Sequence, residues 1–508
     1  MIKINLNNNK DRITSIKNYF CDAAKEFMEL MSYNYKQFTS PVLFMSGLYI
    51  LGIISIIRAN FLYVDDLGRA IHGYRGWNNF SRYISDFTAT ILHADTIIND
   101  ISPLPQLIVA ILIAIASVII VFVISGRKPS KLALIASLPV GLSPWFLECF
   151  SYKFDSPYIA LSVFASVFPF LFVNNYFLFS TISILSLLIM CMTYQASSGI
   201  YALLVIMICL KAWNERSKTN KDIIIFACIS AVSYIITMIL FRILFMKQTP
   251  TYIDANMYPL PQLFSSFLHN FSSYIRIACD DFGLLWKFLL LFSGVMFLTR
   301  TVLYSKRNKT IALIVSIIAV IAMCTLSFGA YLFLQKTIFA ARGMYGLGVF
   351  IAILGIYTVA CEKKIFAIPA LLLCWCFFVF SFSYGNALAD QKRYNDFRTE
   401  IILNDLSKLY PDNKNKAISI LLINSIDFAP SINNIAKRKP IIKRLVPKNL
   451  KGGWMWGYYY LIYHYNFNLQ FADGWREQKI EEDGLELLLD TRYHTIKGNS
   501  EKILVILK

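Results

Sequence analysis

The sequence predicts an all-α polytopic membrane domain of about eleven transmembrane helices, followed by a small C-terminal α/β domain. Three observations lead there. The 508 residues are 56% apolar and 16% charged, with a mean hydropathy of +0.53, too oily for one soluble core of that length. Apolar runs of about 18 to 25 residues, enough to cross a hydrocarbon layer of about 30 Å, recur through the first three quarters of the chain. Beyond residue 383 charged residues become frequent and the apolar runs shorten to strand length.

The expected spans lie near 42–60, 104–125, 131–147, 157–174, 176–192, 198–213, 223–246, 284–304, 310–330, 344–361 and 364–383. The formal charge of +18 does not point to nucleic acid, because much of the basic excess sits in short loops rather than on one face. Lys10, Arg12, Lys17, Lys25 and Lys36 precede the first span. Arg127/Lys128/Lys131, Arg216/Lys218/Lys221, Lys306/Arg307/Lys309 and Lys363/Lys364 fill alternate loops. By the positive-inside rule these are cytoplasmic, which makes the chain a multi-pass protein with its amino terminus inside. The segment after Phe382 is then outside. The first apolar run starts about forty residues in and is long enough to span, so it reads as an anchor and not as a cleaved signal. Most of the ten cysteines fall inside spans, and none has metal-ligand spacing.

Residues 1–41 form a cytoplasmic segment in which Ile16, Phe20, Ala23, Ala24, Phe27 and Met28 share one helical face, as in a helix lying on the membrane surface. The membrane domain, 42–383, is interrupted by an acidic external loop at 61–103 and a second loop at 247–283. In the domain at 384–508, Ala387–Tyr410 has helical spacing, Ile418–Ile423 and Lys502–Leu507 read as buried strands, and Leu485–Ile496 reads as a strand pair. The run WMWGYYYLIYHYNF at Trp454–Phe467 suits a core or a membrane interface, or an aromatic platform for a sugar ring.

The first external loop opens FLYVDDLGRAIHGYRGWNNFSRYISD, placing Asp65 and Asp66 within a few residues of a span end near Asn60. An acid at mid-bilayer would cost about 2.5–3.5 kcal/mol, so these stand at the very edge of what the membrane tolerates. The pair could simply start a helix ahead of Leu67-Gly68-Arg69. However, Phe80, Tyr83, Ile84, Phe87 and Ile91 recur at helical spacing just after it, and Arg69, Arg75 and Arg82 stand where basic residues are normally sparse. A lipid-phosphate sugar donor needs cations for its phosphate, and an acceptor hydroxyl needs a carboxylate to take its proton. A second loop, SPWFLECFSYKFDSP, puts Glu148, Lys153 and Asp155 on the same side. Two acidic loops there can converge on a sugar or on a divalent cation, although no spacing is diagnostic of metal. Tyr194 and Gln195, Lys336 and Arg342, and Arg276, Asp280 and Asp281 are weaker candidates at the same level, and Lys336 and Arg342 are cations on the side where topology does not call for them. His72 and His93 are lone external histidines and carry no assignment.

Several stretches in this order, DDLGRAIHGYRGW, DISPLPQ at Asp100–Gln106, FLECFSYKFDSP at Phe146–Pro157, YQAS at Tyr194–Ser197 and SYGNALADQKRY at Ser383–Tyr394, resemble the serotype-converting O-antigen glucosyltransferases of temperate phages and their bacterial relatives. The resemblance implies a C-type glycosyltransferase with its active site at the outer face and a carboxylate in the first external loop. It further implies an undecaprenyl-phosphate-linked sugar, most often glucose, as donor and O-antigen or lipopolysaccharide as acceptor. The functional partners it implies are a lipid-linked-sugar synthase and a small flippase. The chain departs from the family at Phe80-Ser81-Arg82, where Gly-Arg is expected, and matches less well beyond Tyr394.

The resulting expectation is that Asp65 or Asp66 is the general base and that Arg69, with Lys153 or Arg342, holds the donor phosphate. Glu148, Asp155, Gln195 and Arg82 would contact substrate. A divalent cation is left open as a cofactor. The rival enzyme reading is an O-antigen ligase or polymerase, which would act on diphosphate-linked chains. A flippase for a lipid-linked sugar is the rival from another class; the scarcity of charge inside the spans and the large external domain argue against it.

Overall fold

A computed structural model describes residues 35–126, 129–247, 254–411, 417–465, 468–472, 475–476 and 484–508. The surface helix expected within 1–41 lies almost wholly outside these residues, as do Arg127, Lys128 and Phe467. The chain is mainly helical. Among the described residues, seven helices have the length and composition to cross a membrane: Phe38–Ala59, Leu104–Ser125, Gln195–Glu215, Asn220–Phe245, Leu284–Tyr304, Lys309–Leu326 and the start of Lys364–Leu409. An eighth candidate, Lys131–Leu142 with Pro144–Ser151, is bent by 59° where Ser143-Pro144 interrupts it. The other three expected spans fold as the shorter apolar helices Ser156–Phe172, Tyr176–Cys191 and Gly346–Val359.

Local chemistry sets these helices. Leu104–Ser125 is dominated by Leu, Ile, Val and Ala, starts at Pro103-Leu104-Pro105 and stops at Gly126. In hydrocarbon such a segment must satisfy its backbone internally, which a helix does. Asn175, Asn308 and the capping box of Thr219 with Asp222 open three others. Ile235, Leu291 and Ile318 point outward, as lipid as solvent requires. Two basic loops meet at one end of the bundle: Arg307 donates to Trp213 O (3.0 Å) and to Asn220 Oδ1 (2.9 Å), and the backbone N–H of Lys306 donates to Asn214 O.

The long helix Ile368–Leu409 joins the last apolar run to the expected Ala387–Tyr410 helix and passes residue 384 without a break. Gly385 sits against the Ser55 backbone, where a Cβ would not fit, so this helix packs closely on the first span. At its far end a five-stranded sheet has the order β4 (Leu469–Phe471), β3 (Ile418–Ile423), β7 (Lys502–Leu507), β6 (His494–Gly498) and β5 (Glu486–Asp490). β3 runs parallel to both neighbours, and β5–β6–β7 is antiparallel. Ile420, Leu422, Ile496, Ile503 and Val505 fill its core against Ile402 and Leu406 of the long helix, each contributing about 1.5–3 kcal/mol. Buried Arg398 ties sheet to helix, donating to Tyr394 OH (2.9 Å) and Lys508 O (2.9 Å).

A second, two-stranded sheet pairs β1 (Asp254–Met257) with β2 (Leu334–Lys336), joining two loops that the sequence leaves separate. The segment Pro430–Leu445 docks onto the bundle: Arg444 pairs with buried Asp281, and Leu445 O accepts from Tyr63 OH (2.7 Å) and Tyr384 OH (3.2 Å).

Candidate active site

Asp66 opens a seven-residue helix, Asp66–His72, that ends at Gly73 in the left-handed conformation. Just before it, Val64 has φ +50°, a costly backbone state for a β-branched residue. That strained turn separates the fates of the two acids. Asp66 is fully buried, and its carboxylate accepts the backbone N–H groups of Tyr63 (3.0 Å), Lys153 (2.9 Å) and Phe154 (3.4 Å). It fastens the first acidic loop to the second. Burial pushes its pKa up to about 8, against the pull of the Lys153 and Tyr63 N–H groups.

Asp65 is half-buried and, among the described residues, its carboxylate accepts no hydrogen bond and forms no ion pair, while its backbone oxygen accepts the Arg69 N–H (3.1 Å). Burial raises its pKa above the ordinary carboxylate range; Arg69, Arg342 and Arg82 work against that rise and Asp155 adds to it.

The cations around it are engaged to different degrees. Arg69 pairs with Asp155, which also accepts Trp77 Nε1–H (2.5 Å), and its guanidinium lies 4.6 Å from the Trp77 ring centroid. Burial opposes its charge, but Asp155, Asp65 and Asp66 together hold it protonated. Arg342 grips Glu148 through its backbone N–H (2.6 Å) and Nη1 (3.1 Å) and donates to Tyr152 OH. Lys153 Nζ turns to Asp100 Oδ2 (2.6 Å) and Asn60 Oδ1 (2.5 Å). Arg82 is 8% exposed, yet no carboxylate among the described residues pairs with it; it lies over Tyr194 at 4.5 Å and Phe80 at 5.3 Å. Its Nε and the Tyr194 hydroxyl are both buried without a hydrogen-bond partner. Gln195 donates to Cys191 O (2.8 Å) and Phe80 O (3.4 Å).

Arg82 and Gln195 line a cavity of about 890 Å³ whose walls are chiefly apolar, among them Tyr201, Val205, Ile206, Tyr234 and Met238. Arg242, Lys247 and Lys336 line it too. Among the described residues, no group of three or more His, Cys, Asp or Glu could hold a metal ion.

The structure thus brings Asp65, Asp66, Arg69, Arg82, Glu148, Lys153, Asp155, Gln195 and Arg342 to one end of the bundle. His72 packs against Tyr459 and His93 against Phe154, while Arg276 and Asp280 are exposed. In the aromatic run, Trp456, Tyr458 and Tyr460 are core residues beside Leu62 and Leu67, and Trp456 occupies the space that a side chain on Gly68 would need. Sequence reasoning passed over Trp77, Asp100, Tyr152 and Lys247. Lys247 carried the same signal as Lys336, a cation at the basic-poor end of a span.

The profile of a family described as glucosyl transferase GtrII matches residues 54–380. The chain is also 24% identical, over 456 residues covering 85% of it and 93% of the relative, to a protein of Salmonella phage P22 described as an uncharacterized 55.3 kDa protein in the gtrB 5' region. No solved structure matches it.

Proposed function

The chain belongs to the GtrII glucosyl transferase family, and from that premise we propose that it moves a glucosyl unit from a polyprenyl-phosphate carrier to a hydroxyl of O-antigen at the periplasmic face of the inner membrane. The observation that carries this reading is Asp65: a carboxylate unengaged among the described residues and under the influence of Arg69, Arg82 and Arg342, the second of which lines a cavity that combines apolar walls with Lys247 and Lys336.

The division of labour follows from engagement. Asp66 positions the loop. Asp65 takes the proton of the acceptor hydroxyl as its oxygen attacks the anomeric carbon; the bond from that carbon to the phosphate oxygen breaks, and polyprenyl phosphate leaves with the electron pair. A single displacement inverts the anomeric centre. Arg82, with no carboxylate partner among the described residues, is the cation best placed to receive the phosphate, with Lys247 and Lys336 beside it and the prenyl chain along Tyr201, Val205 and Met238. Arg69, Arg342 and Lys153 are already paired with Asp155, Glu148 and Asp100, and they shape the field and the loops. A lipid-linked-sugar synthase and a flippase would supply the donor. The gathering of basic loops at the opposite end supports a cytoplasmic location for that end.

The test is glucosyl transfer in nanodiscs with full-length protein, a synthetic polyprenyl-phosphate glucose and isolated O-antigen. Transfer lost in Asp65→Asn supports the reading; undiminished transfer in that variant overturns the assignment of the base.

A further inference from the structure

Lys153, whose backbone N–H holds Asp66, also lines a second, smaller cavity of about 260 Å³. It is lined by parts of four separate stretches: Asn60 and Phe61, Ser102 and Gln106, Ser151 and Lys153, and Leu388. Gln106 is 4% exposed, and its Oε1 has no hydrogen-bond partner. The Ser102 hydroxyl is likewise buried without one. An unfilled acceptor in a buried wall is destabilising unless a ligand or water completes it. The charges on the wall cancel: Lys153 is paired with Asp100, whose second oxygen accepts the Ser102 N–H (2.9 Å). Tyr463, from the aromatic run, is near enough that Asp100 adds to the rise that burial causes in its pKa.

We propose that this cavity is a subsite for a neutral, hydroxyl-bearing sugar ring of the acceptor polysaccharide, one unit away from the residue that Asp65 deprotonates. This rests on the glucosyltransferase reading above. A phosphate would need a cation not already neutralised, and an alkyl chain would leave Gln106 and Ser102 unsatisfied. A pyranose supplies hydroxyl donors for Gln106 Oε1 and Ser102, and a C–H face for Phe61 and Leu388. Because Lys153 joins this wall through its side chain and Asp66 through its backbone, an occupied subsite is rigidly connected to the acid loop.

The experiment is calorimetric titration of the full chain in nanodiscs with the repeat-unit oligosaccharide released from lipopolysaccharide of the strain that carries it, and with dihexanoyl phosphatidylglycerol as competitor. Gln106→Leu removes the buried unpaired oxygen, so its melting temperature should not fall. It should weaken oligosaccharide binding at least tenfold and raise acceptor KM to match, leaving donor KM unchanged, and Ser102→Ala should act in the same direction. Wild-type affinity in Gln106→Leu, no saccharide binding by wild type, or displacement by the phospholipid would each overturn the subsite. Saccharide binding that Gln106→Leu abolishes, in a protein that transfers no glucose, would keep the subsite and reject the reaction.

Discussion

Asp65 and Asp66 are consecutive, yet the Asp66 carboxylate accepts three backbone N–H groups while the Asp65 carboxylate accepts none from the described residues. A carboxylate whose oxygens are already held by backbone N–H groups is a good fastener and has little room for a substrate hydroxyl. One with open lone pairs is free to take a proton.

The first prediction separates the two. Asp65→Asn should lower kcat about 10²–10⁴-fold with little change in melting temperature. Asp66→Asn places an NH2 group against backbone donors and should cost about 1–3 kcal/mol of stability as well as activity. Thermal melting in detergent, alongside transfer assays, reads both. Equal melting losses in the two variants would remove the distinction.

The pH profile gives a second check. A general base works only when deprotonated, and burial raises the pKa of Asp65. The acid limb of kcat/KM should therefore fall away at a higher pH than an ordinary carboxylate would give, and should vanish from the residual activity of Asp65→Asn. Arg82→Met removes a cation that lowers this pKa, so it should shift the limb to still higher pH.

Donor recognition is the third. Arg82→Met should raise donor KM at least tenfold, in line with about 1.5–3 kcal/mol for a hydrogen bond to a charged group. Arg75, already paired with Asp86, serves as the control, and Arg75→Met should change donor KM little. Steady-state kinetics with varied donor decide it.

Fourth, Ala202→Phe narrows the large cavity. It should raise KM for a long-chain prenyl-phosphate glucose and spare a short-chain analogue. Equal effects on both donors would place the chain elsewhere.

The docked C-terminal segment supplies the fifth. Arg444→Ala leaves Asp281 buried without its cation and should cost about 3–5 kcal/mol. Melting of Arg444→Ala, and of Arg444→Leu with Asp281→Leu, would show the loss and its partial recovery.

Much of the architecture was legible because it depends on local pattern. Apolar runs had to be helices in a membrane, and the strand-length runs at Ile418–Ile423 and Lys502–Leu507 had to pair. The acid loops stood out because carboxylates and arginines follow directly on long apolar runs. What pattern could not convey was engagement. Arg69, Arg342 and Arg82 look alike in sequence, and only the fold gives Asp155 to the first, Glu148 to the second and aromatic rings to the third. Trp456 likewise read first as core or membrane interface, with a sugar platform as the lesser reading, and its contact with Gly68 places it in the core.

The sequence by itself determined that the chain is a membrane protein of this family, with a carboxylate pair just beyond its first long apolar run, because hydropathy and short motifs are properties of neighbouring residues. Only the tertiary structure decided which carboxylate is tied down and which cation is left over, because hydrogen bonds and ion pairs between residues 66 and 153, 69 and 155, and 148 and 342 join segments that no sequence period connects.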